Sequence, residues 1–249
     1  MSDFGVYTFS FDAGTSASDQ QLINGAIRFA NDFLQSTFGR TVTVATRVSG
    51  VLSAPGCAQG GGAAFTGPGS ITFCLANPGW MMPGPVTRQK IVIHELYHVL
   101  QFERRWLGNP QTAGPDWIIE GSAEVVGYQG IAARGLLPYT TATGCQVKEL
   151  TDFSVRQPPG LPNLAALESR MQWQTTPGPL YTLAMTGIDQ LLNGPGLGAL
   201  NTYMDAVGGG TAWPAAFQQA FGRTPAAFYD QFPAYRASLP VPPNYLCGV

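Results

Sequence analysis

The segment 94–98, HELYH, contains the residue types that a hydrolytic metal centre requires. On a helix, side chains four positions apart lie on the same face, so the imidazoles of His94 and His98 can reach one ion. Glu95 would lie beside that ion, where its carboxylate can take a proton from a water molecule. The chain has only these two histidines. We therefore predict that they bind one zinc ion and that Glu95 is the catalytic base.

A catalytic zinc ion usually has a third protein ligand, which here must be a carboxylate or a thiolate because no third histidine exists. The four cysteines are widely spaced and form no CxxC motif, which argues against a cysteine zinc site. The segment 117–124, WIIEGSAE, places Glu120 in an otherwise apolar helical turn, where an unpaired carboxylate would be costly. Glu124 follows one helical turn later on the same face. Glu120 is the predicted third ligand.

Taken together, HELYH and WIIEGSAE resemble the gluzincins, the HExxH…E peptidases typified by thermolysin and the aminopeptidase N family. The resemblance implies that Glu120 completes the zinc site and that Glu124 accepts the far N–H of a ligand imidazole. It is close over 91–127 and weaker elsewhere. The separation of His98 from Glu120 is slightly longer than in those families, and we expect the extra residues in the loop at 108–115. The aminopeptidase signature GxMEN is absent, so recognition of a free amine is not predicted.

A tetrahedral oxyanion needs a hydrogen-bond donor in addition to the metal. Since no histidine remains, the donor must be a tyrosine or an arginine. Tyr181, in GPLYTLAMTGIDQLL, resembles the tyrosine that precedes a helix in the aminopeptidase group, and the resemblance implies this role for it. Tyr128, Tyr139 and Arg170 are the alternatives.

Three functions are compatible with these residues. The first is a metalloendopeptidase acting on a peptide or protein, the second is an HExxH hydrolase of another amide or ester, and the third is a zinc-stabilised binding domain without catalysis. The motif indicates the reaction type better than the substrate. A purely structural metal site has no need of Glu95, which favours an enzyme, and we predict a zinc metallopeptidase.

Hydrophobic spacing predicts the elements that position these residues. Strands are expected at 5–11, 40–48 and 70–75, and helices at 16–38, 86–106, 117–134, 177–193, 196–207, 211–221 and 225–237. Ser18, Asp116 and Thr224 are the expected N-caps, and Gly39 is the expected end of the first helix. The predicted fold class is α+β and zincin-like. A small mixed lobe at about 1–106 and a mainly helical lobe at about 107–249 would form one catalytic domain, with the active-site helix between them.

The gluzincin resemblance also implies a position for the substrate. In gluzincins the strand that corresponds to 70–75 is the exposed edge of the sheet, and an extended peptide could pair with it through main-chain hydrogen bonds. The alternative is that this strand is internal and packs against the active-site helix.

Composition excludes some partners and indicates a compartment. The net charge is −2 and only Lys90 and Lys148 are lysines, so nucleic-acid binding is not expected. No apolar run approaches the roughly 20 residues of a membrane span. We predict the disulfides Cys57–Cys74 and Cys145–Cys247 and a secreted or extracytoplasmic protein; the alternative is four reduced thiols. The first residues do not resemble a signal peptide, so the protein is expected either to be cytosolic or to begin after a removed signal, and the predicted disulfides favour the second alternative.

Overall fold

Residues 5–53, 57, 62–104, 114–156 and 160–243 are described by the computed structural model. Within them the chain combines α-helices with a four-stranded sheet, which confirms the α+β class. Contacts within the chain divide it into two compact units, Met1–Arg104 and Arg105–Val249. The predicted end of the active-site helix near residue 106, the loop at 108–113 and Cys247 lie outside the described residues.

The first unit contains the sheet and two long helices. Its strands are β1 (Tyr7–Phe11), β2 (Thr46–Val51), β3 (Ala64–Gly67) and β4 (Ser70–Cys74). Its helices are α1 (Ala17–Phe38), the short α2 (Pro78–Met81) and α3 (Pro85–Glu103). Helix α3 contacts α1, β3 and β4, and it contains the HELYH segment.

The ends of α1 follow from local capping. Ser16, not the predicted Ser18, is the N-cap, because its side chain accepts a hydrogen bond from the amide of Asp19. Gly39 ends the helix as predicted, with the left-handed φ of 64° that glycine adopts at little cost.

The prediction of an edge strand at 70–75 was wrong. The strand order is β1-β2-β4-β3, so β4 is internal, parallel to β2 on one side and antiparallel to β3 on the other. The chain reverses at Gly69, where φ is +62° and an added Cβ would lie 2.8 Å from the carbonyl oxygen of Ala45. This turn brings β3 against the free side of β4. Strand β3 was not among the predicted strands, because the sequence just before it is rich in glycine and shows no strand pattern.

The prediction of a strand at 40–48 was also only partly correct. Strand β2 begins at Thr46 and continues to Val51. Upstream of it, the Thr41 hydroxyl donates to Asn31, and both the amide and the hydroxyl of Thr43 donate to Glu103. These β-branched residues therefore connect the sheet to α1 and α3 through side-chain hydrogen bonds instead of extending a ladder.

The second unit is helical. Its elements are α4 (Asp116–Ala133), α5 (Tyr139–Arg156), a 3₁₀ turn (Leu164–Leu167), α6 (Arg170–Thr175), α7 (Leu180–Leu192), α8 (Gly198–Gly208), α9 (Trp213–Phe221) and α10 (Pro225–Ser238). Sequence reasoning missed α5, α6 and the 3₁₀ turn. The threonine-rich start of α5 and its many polar residues obscured the buried positions Ala142, Val147 and Leu150.

An aromatic cluster forms part of the core of the second unit. The Trp117 ring stacks on Phe228 with a centroid distance of 5.5 Å and an interplanar angle of 18°. Its indole N–H donates to the Tyr229 hydroxyl at 3.2 Å, which satisfies the polar end of a fully buried side chain. Because Trp117 lies in the first turn of α4, the cluster anchors the part of that helix that precedes Glu120.

The cysteines that the structure describes are oxidised. A disulfide joins Cys57 to Cys74, as predicted, and Cys145 is also disulfide-bonded. The alternative of four reduced thiols is therefore wrong. Disulfides are compatible with an extracellular location. Among the described residues, no helix is both long and apolar enough to cross a membrane.

Candidate metal centre

The two histidines converge through the geometry of α3 alone. They lie one helical turn apart on its buried side, and their Nε2 atoms are 2.9 Å apart. The ring planes are nearly perpendicular, at 84°. Pro85 begins the helix, where its missing N–H costs nothing. Contacts of α3 with α1, β3 and β4 then bury the turn that presents the two rings.

Gln101 orients one of these imidazoles. Its Oε1 lies 2.6 Å from Nδ1 of His98, and the Gln101 side chain is fully buried. Because an amide oxygen can only accept a hydrogen bond, His98 Nδ1 donates the proton and Nε2 keeps its lone pair. A lone pair on Nε2 is what a metal ligand requires. Sequence reasoning missed Gln101, although its position three residues after His98 placed it on the same face of the helix.

A hydrogen bond from the sheet orients the predicted base, Glu95. Thr66, on the edge strand β3, donates its hydroxyl proton to Glu95 Oε2 at 2.5 Å. This bond occupies one carboxylate oxygen and orients the other, Oε1. Sequence reasoning also missed Thr66, because no local spacing connects a residue of β3 with one of α3.

Glu120 owes its position to close helix packing. It lies in α4, which contacts α7 extensively. The adjacent Gly121 makes that approach possible, since an added Cβ there would lie 2.6 Å from the carbonyl oxygen of Ala184. Asp116 was expected to be the N-cap of this helix. It is instead the first helical residue, following the N-cap Pro115.

A guanidinium group lies beside the Glu120 carboxylate. Arg170 Nη1 is 3.7 Å from Glu120 Oε1 and 3.6 Å from Asp116 Oδ2. Ser169 and Gln172 form a reciprocal capping box at the start of α6, which fixes the helical position of Arg170. Burial raises the pKa of Asp116, and the nearby Arg170 partly opposes that increase. The Arg170 side chain is 61% exposed and that of Glu120 only 12%, so the positive charge reaches the carboxylate from the solvent side.

His94, His98 and Glu120 form a possible metal-binding triad. Each offers one ligand atom, and these atoms all lie within 4.8 Å of one another. The chemistry of the donors fits a zinc ion, because two imidazoles and one carboxylate form a common catalytic zinc set. The His98–Gln101 bond fits it as well, since it leaves the nitrogen that faces His94 unprotonated.

The other predicted site residues have different positions. Glu124 is buried on α4 one turn beyond Glu120, and its hydrogen bond to an imidazole stays a prediction. Tyr181, in the first turn of α7, is about half exposed, and its ring meets Trp173 edge to face at 5.4 Å. Its role with the oxyanion also stays a prediction.

The alternatives to Tyr181 differ in their contacts. The Tyr139 hydroxyl donates to Asp189 at 2.8 Å, and the Tyr128 hydroxyl accepts from Gln146 at 3.0 Å. Arg170, in contrast, contacts the predicted metal ligand Glu120 directly.

The chain matches no protein-family model, and no curated protein is similar enough in sequence to match it. The gluzincin assignment therefore stays a prediction from the HELYH and WIIEGSAE segments.

Proposed function

We propose that this protein is a zinc-dependent hydrolase, and specifically a metalloendopeptidase that works outside the cytoplasm. The observation that carries the proposal is the triad of His94, His98 and Glu120, whose ligand atoms lie within 4.8 Å of one another. A glutamate that follows the first ligand directly is what a hydrolytic site needs and a structural site does not. The disulfides support the extracytoplasmic location.

A zinc ion held by this triad would supply Lewis acidity, which polarises a carbonyl and acidifies a water molecule. Glu95 takes a proton from the attacking water at Oε1, while Thr66 occupies Oε2. The same carboxyl group then delivers that proton to the nitrogen of the leaving amine, which restores the carboxylate. Gln101 keeps the His98 ring in the tautomer whose Nε2 can bind a metal.

The edge of the sheet favours an extended peptide as the substrate. Within the described part of the chain, strand β3 is the last strand in the order of the sheet, and Thr66 within it contacts the predicted base. An edge strand offers backbone N–H and C=O groups with which an extended chain can pair. A peptide aligned there would have its backbone close to Glu95. A compact ester could not use these backbone groups in the same way.

The test is cleavage of an unbiased peptide library by zinc-loaded protein, with the products mapped by mass spectrometry. Wild-type protein should cleave internal peptide bonds. Glu95→Gln should keep its zinc but lose at least about 100-fold in turnover, because an amide cannot accept the proton. Thr66→Val is the matched variant, which keeps the base and removes only its hydrogen bond, and its loss of turnover should be smaller.

Two results would contradict the proposal. If Glu95→Gln retains most of the wild-type turnover, Glu95 is not the base. If zinc-loaded wild-type protein cleaves no peptide but hydrolyses simple esters or other amides in a Glu95-dependent manner, the hydrolytic chemistry stands and the peptide substrate is wrong.

A further inference from the structure

Asp189 is a half-buried carboxylate of the second unit. It lies on α7 and accepts a hydrogen bond from the Tyr139 hydroxyl at 2.8 Å. Among the described residues, no lysine or arginine forms an ion pair with it. Burial raises the pKa of Asp189, opposed only by the Tyr139 hydrogen bond. A carboxylate in such a place is costly unless a cation or several donors compensate it.

The carboxylate borders a cavity of about 290 Å³, here called the Asp189 cavity. Its wall includes Val147 and Met185, which are buried, and its rim includes Thr140 and Pro240, which are exposed. The cavity therefore leads from the surface to an apolar interior with a carboxylate in its wall. Small-molecule sites commonly combine an apolar lining with a few placed polar groups.

Two threonines that line this cavity use their hydroxyl protons within their own helices. Thr186 donates its hydroxyl proton to the carbonyl oxygen of Thr182 at 2.9 Å, and Thr143 donates to that of Thr140 at 3.2 Å. With their protons directed at the helix backbone, both oxygens have only lone pairs left for the cavity. Together with the Asp189 carboxylate, they favour a ligand that donates hydrogen bonds and carries positive charge.

A second cavity, of about 270 Å³, borders the same carboxylate and is lined in part by Tyr139 and Tyr235. Burial raises the pKa of Tyr235, and the nearby Asp189 charge adds to this effect. Asp189 thus lines both cavities, the first together with the apolar side chains of Val147 and Met185 and the second together with two phenol groups.

We propose that the Asp189 cavity is a binding site for a small aliphatic amine in its ammonium form. The ammonium group would donate to Asp189 and to the lone pairs of Thr143 and Thr186, and the alkyl chain would lie against Val147 and Met185. An aliphatic alcohol of the same length has the same apolar body but no positive charge, so the site should discriminate against it. The site uses none of the predicted metal ligands and does not depend on the hydrolase assignment.

The experiment is calorimetric titration of the full chain with pentylammonium chloride and with 1-pentanol, at constant ionic strength. We expect saturable binding of one pentylammonium ion and at least about tenfold weaker binding of the alcohol, because the charge-assisted hydrogen bonds are lost. Asp189→Asn should weaken pentylammonium binding at least about tenfold. Asp230→Asn, a matched change at an exposed residue of α10, should leave it unchanged.

A second variant keeps the test valid if Asp189→Asn does not fold. Thr143→Val retains the carboxylate and removes one acceptor, and should weaken amine binding about threefold or more without altering the circular dichroism spectrum. The proposal is overturned if wild-type protein shows no saturable amine binding, or if alcohol and amine bind equally. It is also overturned if folded Asp189→Asn binds the amine as the wild type does. Equal losses in Asp189→Asn and Asp230→Asn would show a nonspecific charge effect and overturn it as well.

Discussion

The histidine pair on α3 and the glutamate on α4 are positioned by different kinds of structure. His94 and His98 are one turn apart on a single helix, and their Nε2 atoms converge to 2.9 Å within that element. Glu120 depends on packing, because α4 approaches α7 closely at Gly121, which leaves room for the Ala184 carbonyl. We therefore expect zinc binding to be almost completely lost when a histidine is replaced. It should weaken only gradually when the contacts that position Glu120 are changed.

The largest expected effect tests this difference directly. His98→Ala removes half of a pair that no other histidine can replace, so zinc content should fall from about one equivalent to nearly none. Glu120→Gln keeps the shape and a neutral oxygen ligand, so zinc affinity should fall but remain measurable. Metal analysis after dialysis against graded chelator concentrations distinguishes the two variants. Equal zinc content in His98→Ala and wild-type protein would rule out the ligand assignment.

An intermediate effect is expected from the groups that support each ligand. Gln101→Leu removes the acceptor for His98 Nδ1 and should lower zinc affinity about 10- to 100-fold. Arg170→Gln removes a partly exposed charge 3.7 Å from Glu120 and should change zinc affinity by only about a few-fold. Competition with a fluorescent zinc chelator measures both affinities. If Arg170→Gln changes zinc affinity more than Gln101→Leu does, zinc binding is more sensitive to changes beside Glu120 than to changes beside His98.

The smallest effect should come from the helix contact behind Glu120. Gly121→Ala places a Cβ 2.6 Å from the Ala184 carbonyl oxygen, and overpacking of this kind costs about 1–3 kcal/mol. Denaturant unfolding should show this loss together with a modest decrease in zinc affinity. Gly198→Ala is the matched control, since an added Cβ there meets nothing within 4 Å and should not lower stability. An unchanged denaturation midpoint in Gly121→Ala would mean that α4 and α7 can move apart without a loss of stability.

Local pattern was sufficient for much of the fold. Helical spacing predicted α1, α3, α4 and the four helices from α7 to α10 to within a few residues, and β1 and β4 were also recognised. Segments whose signal is weak locally were missed or misplaced. Helix α5 is rich in polar residues, β3 lies next to a glycine-rich stretch, and the threonines before β2 form side-chain hydrogen bonds instead of ladder bonds.

The sequence by itself determined that His94 and His98 share a helix face with Glu95 beside them, because a period of 3.6 residues is a local property of the backbone. It also indicated Glu120, as a carboxylate in an apolar turn. Only the tertiary structure decided that Thr66 holds Glu95, that β3 and not β4 forms the edge of the sheet, and that Asp189 borders two cavities. These features join residues that are distant in the chain, and their contacts depend on how whole elements pack, which no local spacing encodes.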